Sequence, residues 1–207
     1  MVKIATSILS SNNKKECIEN LNKTDTDYIH IDVMDNIFVP NYQLPIEEVN
    51  ELGKYSNKPF DVHLMIEDPE KFINNITIDN IKSITIHLEI NKNINHLIDL
   101  IKNHNYQVGI AIKPNTAINK IDKYIELIDK VIIMSVEPGF GGQKFIDNSV
   151  DRIKRIRSKR KDIIIEVDGG INNETINNIM NYADIAVVGS YIINSTDYQK
   201  AINILKN

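Results

Sequence analysis

The chain has 207 residues, a formal net charge of −4, and 25% charged against 42% hydrophobic side chains, the composition of one soluble globular domain with a full core. An acidic balance without a dense basic run argues against a nucleic-acid surface. No apolar run approaches the roughly 20 residues that span a bilayer, and the N-terminus turns polar by Ser10, too soon for a secretory leader, so a cytoplasmic protein is expected.

Short β-branched runs recur along the chain at Lys3–Ser7, Tyr28–Val33, Phe60–Leu64, Ser83–His87, Gln107–Ile112, Lys130–Met134, Ile163–Val167 and Ile185–Val188. Cys17, between the first two, is the only cysteine; no intrachain disulfide can form, and a small apolar role on the first helix is expected. Asp68-Pro69-Glu70 reads as an N-cap followed by proline at the first helical position. Ile94, Leu97, Ile98 and Ile101 form one stripe at helical spacing, and Ile118, Ile121, Ile125 and Ile128 form another. The basic cluster Arg152 to Lys161 reads as the solvated face of a helix, and Asn172 or Asn173 as the next cap. The tail Asp197 to Lys206 turns Tyr198, Ala201, Ile202 and Leu205 inward.

Strict alternation of strands and helices implies parallel strands joined by right-handed crossovers. Eight such units predict a single-domain (β/α)8 TIM barrel over residues 1–207, with short loops. An open doubly wound sheet would place its glycine fingerprint at the first βα turn, where Ser7-Ile8-Leu9-Ser10-Ser11 has none. The glycines come instead after the last three strands: Glu137-Pro138-Gly139-Phe140-Gly141-Gly142-Gln143, Asp168-Gly169-Gly170 and Gly189-Ser190. Three consecutive strands ending in glycine describe a phosphate cradle, because backbone N–H groups there approach an anion closely.

The second strand ends His30-Ile31-Asp32-Val33-Met34-Asp35, and alternation puts His30, Asp32 and Met34 on one face. Asp61, His63 and Met65 repeat the arrangement on the third strand, and Glu166 and Asp168 share a parity on the seventh. His30, Asp32, His63 and Asp168 all reach C-terminal strand ends, where barrel active sites lie. Two imidazoles and two carboxylates suit zinc, iron(II), manganese or cobalt better than calcium or magnesium; the alternative is a structural ion-pair cluster. His87 reads as a supporting or structural residue, and His96 and His104 as surface residues. In an eight-strand ring Asp32 and Asp168 stand three strands apart, facing across the mouth. Such a pair can take a proton from one face of a substrate and return one to the other, as an epimerase requires. A metal there would stabilise an enediolate as a Lewis acid. Met34, Met65 and Met134 crowd the same mouth, either as core filling or as a water-poor lining.

Together these segments, with Ser7-Ile8-Leu9 and Phe38-Val39-Pro40-Asn41, resemble the ribulose-phosphate 3-epimerase family from end to end. The resemblance implies a metal-dependent barrel that interconverts D-ribulose 5-phosphate and D-xylulose 5-phosphate in the pentose phosphate pathway. It implies Asp32 and Asp168 as the acid/base pair, and His30, Asp32, His63 and Asp168 as ligands of one divalent ion, with no organic cofactor. It implies that Ser7 and His63 contact the sugar, and that Gly139, Phe140, Gly141, Gly142, Asp168, Gly169, Gly170, Gly189 and Ser190 line the sugar-phosphate site. A homo-oligomer, dimer or hexamer, is implied as well. Two departures stand out: Asn36 occupies a position where the family often has glycine, and Asn41-Tyr42-Gln43-Leu44-Pro45 lacks a glycine usual before the proline. The rival reading is a six-carbon ketose phosphate epimerase, acting for instance on allulose 6-phosphate. The non-enzymatic alternative is a silent sugar-phosphate-binding barrel. A decarboxylase or lyase of similar barrel would want lysine where Met34 stands.

Overall fold

In the computed structural model, which describes residues 1–207, eight parallel strands close into a barrel. They are β1 (Lys3–Ser7), β2 (Tyr28–Asp35), β4 (Phe60–Met65), β5 (Ile81–His87), β6 (Gln107–Ile112), β7 (Lys130–Met134), β8 (Ile164–Asp168) and β9 (Ile185–Val188). The ring runs β1-β9-β8-β7-β6-β5-β4-β2 and is closed by the pairing of β1 with β2. A two-residue strand, β3 (Tyr42–Gln43), folds back antiparallel on the end of β2 and belongs to the rim.

Outside the ring lie α1 (Lys14–Leu21), α2 (Ile46–Gly53), α3 (Pro69–Asn75), α4 (Ile94–Asn103), α5 (Ser149–Lys159), α6 (Ile176–Ile179), α7 (Ser190–Ile193) and α8 (Tyr198–Lys206). Their inward faces and the outward faces of the strands form one cluster of 53 buried residues, rich in isoleucine, whose branched side chain packs well on a pleated surface. Cys17 lies in that cluster as a free thiol. The stripe Ile118, Ile121, Ile125 and Ile128 is buried as its spacing predicts, but the segment is a 3-10 helix over Ile118–Lys123 followed by turns. Pro69 starts α3 as read, although the Asp68 side chain makes no capping hydrogen bond. The Asn172 carboxamide oxygen accepts from the N–H groups of Glu174 and Thr175, ahead of α6. Within the basic cluster Lys154, Arg155, Lys159 and Lys161 are exposed, whereas Arg157 and Arg160 are half-buried and bonded to backbone carbonyls, and Arg152 is buried and donates to the carbonyls of Lys113, Pro114 and Thr116 after β6. No helix is long and apolar enough to cross a membrane.

Both departures from the family pattern carry positive φ. Asn36 sits at φ 60°, a conformation asparagine tolerates, with the preceding Asp35 carboxylate accepting from the N–H groups of Ile37 and Phe38. Leu44 sits at φ 52°, which glycine would adopt freely and leucine adopts only under constraint; its buried side chain in the core supplies the constraint.

Inward-facing positions follow the period of two, and they are unusually polar. His30, Asp32, Asp61, His63, Ser83, Thr85, His87, Lys130 and Glu166 are all buried. Register places His30 beside Asp61 and Asp32 beside His63 across β2 and β4, so base and acid alternate around the wall. Gly109 on β6 makes room at this level, because a Cβ there would collide with Oγ1 of Thr85 and fall 3.1 Å from Cε of Lys130. Charge therefore fills the middle of the barrel, and apolar side chains wrap its outside.

Candidate active site

The C-terminal mouth of the barrel opens into a cavity of about 450 Å³. Asp32 and Asp168 stand on its floor with Met34, Met65 and Met134, and Ser7 stands beside them. Its other wall is Gly139 to Gly142 after β7, Gly169 and Gly170 after β8, and Gly189 and Ser190 after β9. The three glycine junctions read from the sequence thus converge on one cavity. Leu9, Ser10, Asn172, Tyr191, Asn194 and Ser195 also line it; the sequence marks Leu9 only within Ser7-Ile8-Leu9 and Asn172 only as a cap, and gives the others no role.

Local hydrogen bonds hold these loops in shape. The Gln143 side-chain amide donates to the carbonyls of Glu137 and Phe140 at 2.7 and 2.8 Å, closing the loop on itself. The Asn41 side-chain amide donates to the Gly139 carbonyl at 2.7 Å and ties this loop to the one after β2. Ser135 Oγ donates to the carbonyls of Asp168 and Gly169, pinning the end of β8 to β7. Gly170 has φ 66°, and a Cβ there would fall 2.5 Å from the Phe145 backbone nitrogen, so only glycine fits.

Below the cavity floor His30, Asp32, His63 and Asp168 come together, with one ligand-type atom of each within 4.8 Å of every other. His30 Nε2 lies 3.5 Å from Asp32 Oδ1 and 3.8 Å from Asp168 Oδ2. His63 Nδ1 lies 3.5 Å from Asp32 Oδ1 and 3.3 Å from Asp168 Oδ2. Those two ring nitrogens are buried and have no hydrogen-bond partner. Tetrahedral ligands about 2.1 Å from a zinc-like ion are about 3.4 Å from one another. The spacing, the donor set and the two orphaned nitrogens all fit a divalent ion.

Electrostatics agree with that fit. Burial works against an ionised Asp32, but His30 and His63 beside it outweigh burial and hold its carboxyl below the usual range. Burial likewise works against a charged His30, yet Asp32 and Asp61 raise it well above its ordinary 6.5, and Asp168 and Asp32 raise His63 in the same way. The site favours positive charge between its carboxylates. Ser7 Oγ donates to Asp32 Oδ2 at 2.7 Å and fixes that carboxylate's second oxygen.

Behind the four residues stand others that the sequence did not single out as a network. His30 Nδ1 is 2.9 Å from Asp61 Oδ2, and Asp61 in turn pairs with the Lys130 ammonium and the Ser83 hydroxyl. Lys130 also donates to Glu166 Oε2 at 2.8 Å. His63 Nε2 is 2.9 Å from His87 Nε2, so His87 supports the cluster from behind. His96 is exposed on α4, and His104 stacks on Tyr106 at 6.0 Å; both lie outside the site. Phe140 is more than half exposed on the rim and touches the cavity only as part of its loop.

Residues 3–193 match the family described as the ribulose-phosphate 3 epimerase family. A Bacillus subtilis protein named ribulose-phosphate 3-epimerase is 36% identical over 214 residues, covering 100% of this chain and 99% of that protein. An Aquifex aeolicus protein of the same name is 37% identical over 186 residues, covering 87% of this chain and 84% of its own. Among solved structures, 3-hexulose-6-phosphate synthase from Salmonella typhimurium superposes with a TM-score of 0.73 at 18% identity, covering 99% of this chain and 96% of that one. At that identity the likeness is one of fold.

Proposed function

The chain belongs to the ribulose-phosphate 3-epimerase family, and from that membership we propose the reaction and the residues that perform it. The protein is an isomerase that interconverts D-ribulose 5-phosphate and D-xylulose 5-phosphate by inverting the carbon at C3. The observation that carries the assignment is the placement of Asp32 and Asp168, from strands three apart in the ring, on the floor of one cavity whose wall is three glycine junctions.

The phosphate binds against the backbone of Gly139 to Gly142, Gly169, Gly170, Gly189 and Ser190, where N–H groups and glycine's small size permit close approach. That anchors the sugar with C3 between the two carboxylates. In one direction Asp32 or Asp168 takes the C3 proton from one face; the other, protonated at the start, returns a proton to the opposite face. The carbon leaves with inverted configuration, and the pair has exchanged protonation states, ready for the reverse direction. Ser7, through its hydrogen bond to Asp32, orients one carboxylate and stands where a sugar hydroxyl arrives. Met34, Met65 and Met134 keep water from the charge that develops.

His30, Asp32, His63 and Asp168 would hold one divalent ion such as zinc, iron(II), manganese or cobalt. Bound there, the ion supplies Lewis acidity that stabilises negative charge on the substrate's carbonyl and hydroxyl oxygens. Residues 1–207 act as one sugar-phosphate-binding domain in this reading. Assembly as a dimer or hexamer rests on the family resemblance alone; a cytoplasmic location follows the sequence reading and fits a metabolic family.

The test is turnover of D-ribulose 5-phosphate, coupled to detection of xylulose 5-phosphate, before and after chelation. Activity that disappears on chelation and returns with zinc, manganese, iron(II) or cobalt is expected. Turnover that survives thorough chelation would refute the metal assignment while leaving the reaction. A preference for allulose 6-phosphate would move the substrate to the six-carbon class.

A further inference from the structure

His87 and Glu89 line no part of the sugar-phosphate cavity, yet they end a buried chain of hydrogen bonds that starts at His63. We propose that Glu89 and His87 are positioning residues that hold His63 with its Nε2 protonated and its Nδ1 lone pair directed at the metal cluster. The proposal rests on the metal reading given above and adds to it how one ligand acquires its tautomer.

Starting from the outer end, Glu89 Oε1 accepts from the Lys113 N–H at 2.9 Å, and Glu89 Oε2 lies 3.1 Å from His87 Nδ1. An ionised carboxylate can only accept, so the hydrogen in that contact is on His87 Nδ1. At the other side of the same ring, His87 Nε2 lies 2.9 Å from His63 Nε2. Two ring nitrogens at that distance share one hydrogen. If it sat on His87, that ring would be a cation with both nitrogens protonated. His87 is fully buried, packed against Phe38 with centroids 4.7 Å apart, and the Lys113 ammonium already lies 3.7 Å from the centre of that Phe38 ring. A second cation there would be desolvated and repelled. The hydrogen therefore belongs to His63 Nε2, His87 Nε2 accepts it, and the lone pair of His63 is on Nδ1. That nitrogen is the one facing Asp32 and Asp168, and it has no other partner.

The arrangement has a counterpart on the other imidazole ligand. His30 meets Asp61 through Nδ1 and so turns Nε2 to the cluster. The two histidines thus present opposite ring nitrogens, each chosen by the group behind it. A ligand whose far nitrogen is anchored in this way loses less rotational freedom on binding and is more basic.

The experiment uses zinc-loaded protein with nitrogen-15 histidine. Long-range proton–nitrogen spectra of the parent, which need no variant, should show His63 Nε2 as the protonated nitrogen and Nδ1 as the metal-bound one. Chelator competition should then show zinc bound about 10- to 100-fold more weakly in Glu89→Leu and in His87→Phe, the range typical for loss of a partner behind a metal ligand. His87→Gln, whose amide can accept from His63 and donate to Glu89, should recover most of that affinity. A side chain serving only to fill space would show the reverse order, with phenylalanine tolerated better than glutamine. Coordination of His63 through Nε2, or unchanged zinc affinity in both folded variants Glu89→Leu and His87→Phe, would overturn the relay. A parent that takes up no zinc would instead overturn the metal reading beneath it.

Discussion

Two clusters of acids and imidazoles occupy the barrel interior, one above the other, and they share His30. The lower one gathers His30 Nδ1, Asp61 and Glu166 around the ammonium of Lys130. The upper one gathers His30 Nε2, Asp32, His63 and Asp168 around no cation of the chain's own. Both offer groups close enough to chelate an ion. In the lower cluster burial and the neighbouring Asp61 push Glu166 up to about 8, whereas Lys130 and His30 overcome burial to hold Asp61 well below the carboxylate range. One carboxylate charge then faces one ammonium, and Ser83 adds a hydrogen bond. In the upper cluster two ring nitrogens are left without partners, against one carboxyl oxygen, Glu166 Oε1, in the lower. The difference separates a structural charge cluster from a chemical one: the first carries its cation in the sequence, and the second must take protons or a metal from solution.

The largest effect expected from this contrast is on turnover. On the proposed reading Asp168→Asn removes a proton-transfer group and a ligand of the upper cluster, so kcat should fall about 10⁴-fold, the upper end for a positioned acid or base. Steady-state epimerisation of the metal-supplemented variant checks it. A loss under tenfold would mean that Asp168 moves no proton.

Lys130→Met attacks the lower cluster. It leaves Asp61 charged and buried without its ammonium, with only His30 beside it, which costs about 3 kcal/mol, read as a lowered urea midpoint. A variant of unchanged stability would show that the lower cluster does not depend on its lysine, and the contrast between the two would lose its basis.

Metal acts on the upper cluster, while pH acts there through His30 and His63 and, in the same direction, below through Glu166. In metal-free protein the folded-state pKa values of His30 and His63 are raised above the ordinary 6.5. Groups raised in this way contribute stability that is fully present below about pH 6.5 and is lost as pH climbs through the raised values. Metal-free protein should therefore lose stability from about pH 6.5 upward. An ion bound by the same nitrogens replaces those protons, so its stabilising effect should grow with pH over that window. At a hundred times its dissociation constant it would add about 2.7 kcal/mol. Thermal unfolding from pH 5 to 9, with and without zinc, measures both trends. An equal zinc shift at every pH would show that protons and metal do not compete, and that these imidazoles are not the ligands.

The two clusters also differ in how far the sequence reveals them. Period-two alternation puts His30, Asp32, Asp61, His63, Glu166 and Asp168 inside the barrel, and glycine after three successive strands locates the mouth. Alternation cannot say which interior charges meet, because that depends on register between strands. His30 beside Asp61 follows from the pairing of β2 with β4. Lys130 looks like a solvated residue opening a strand, and only the ring closed around it, with Gly109 clearing space, makes it a core cation. His87 is recognisable as a supporting residue, but its chain to Glu89 needs a hydrogen-bond geometry that no spacing encodes. The 3-10 segment at Ile118–Lys123 shows the same limit in the shell, where apolar spacing gives the buried face and leaves the helix type undecided.

The smallest effect is the most discriminating, because it uses the same substitution in both clusters. Ser83 Oγ donates to Asp61 below, and Ser7 Oγ donates to Asp32 above. Each bond is made to a charged acceptor, and removing such a donor costs about 1–3 kcal/mol where the site is closed to water. Ser83 is buried beside Asp61 and Lys130 at a smaller cavity, about 180 Å³, away from the mouth, so Ser83→Ala should lower stability by up to that amount and leave kcat and KM near the parent's. Ser7 borders the open cavity, where solvent can take over its bond to Asp32. Ser7→Ala should therefore keep stability within about 0.5 kcal/mol of the parent and show its loss in kcat/KM. Urea unfolding and steady-state kinetics on the two variants give four numbers. If they do not cross, with stability falling for one and turnover for the other, the division of the barrel interior into a structural and a chemical half is wrong.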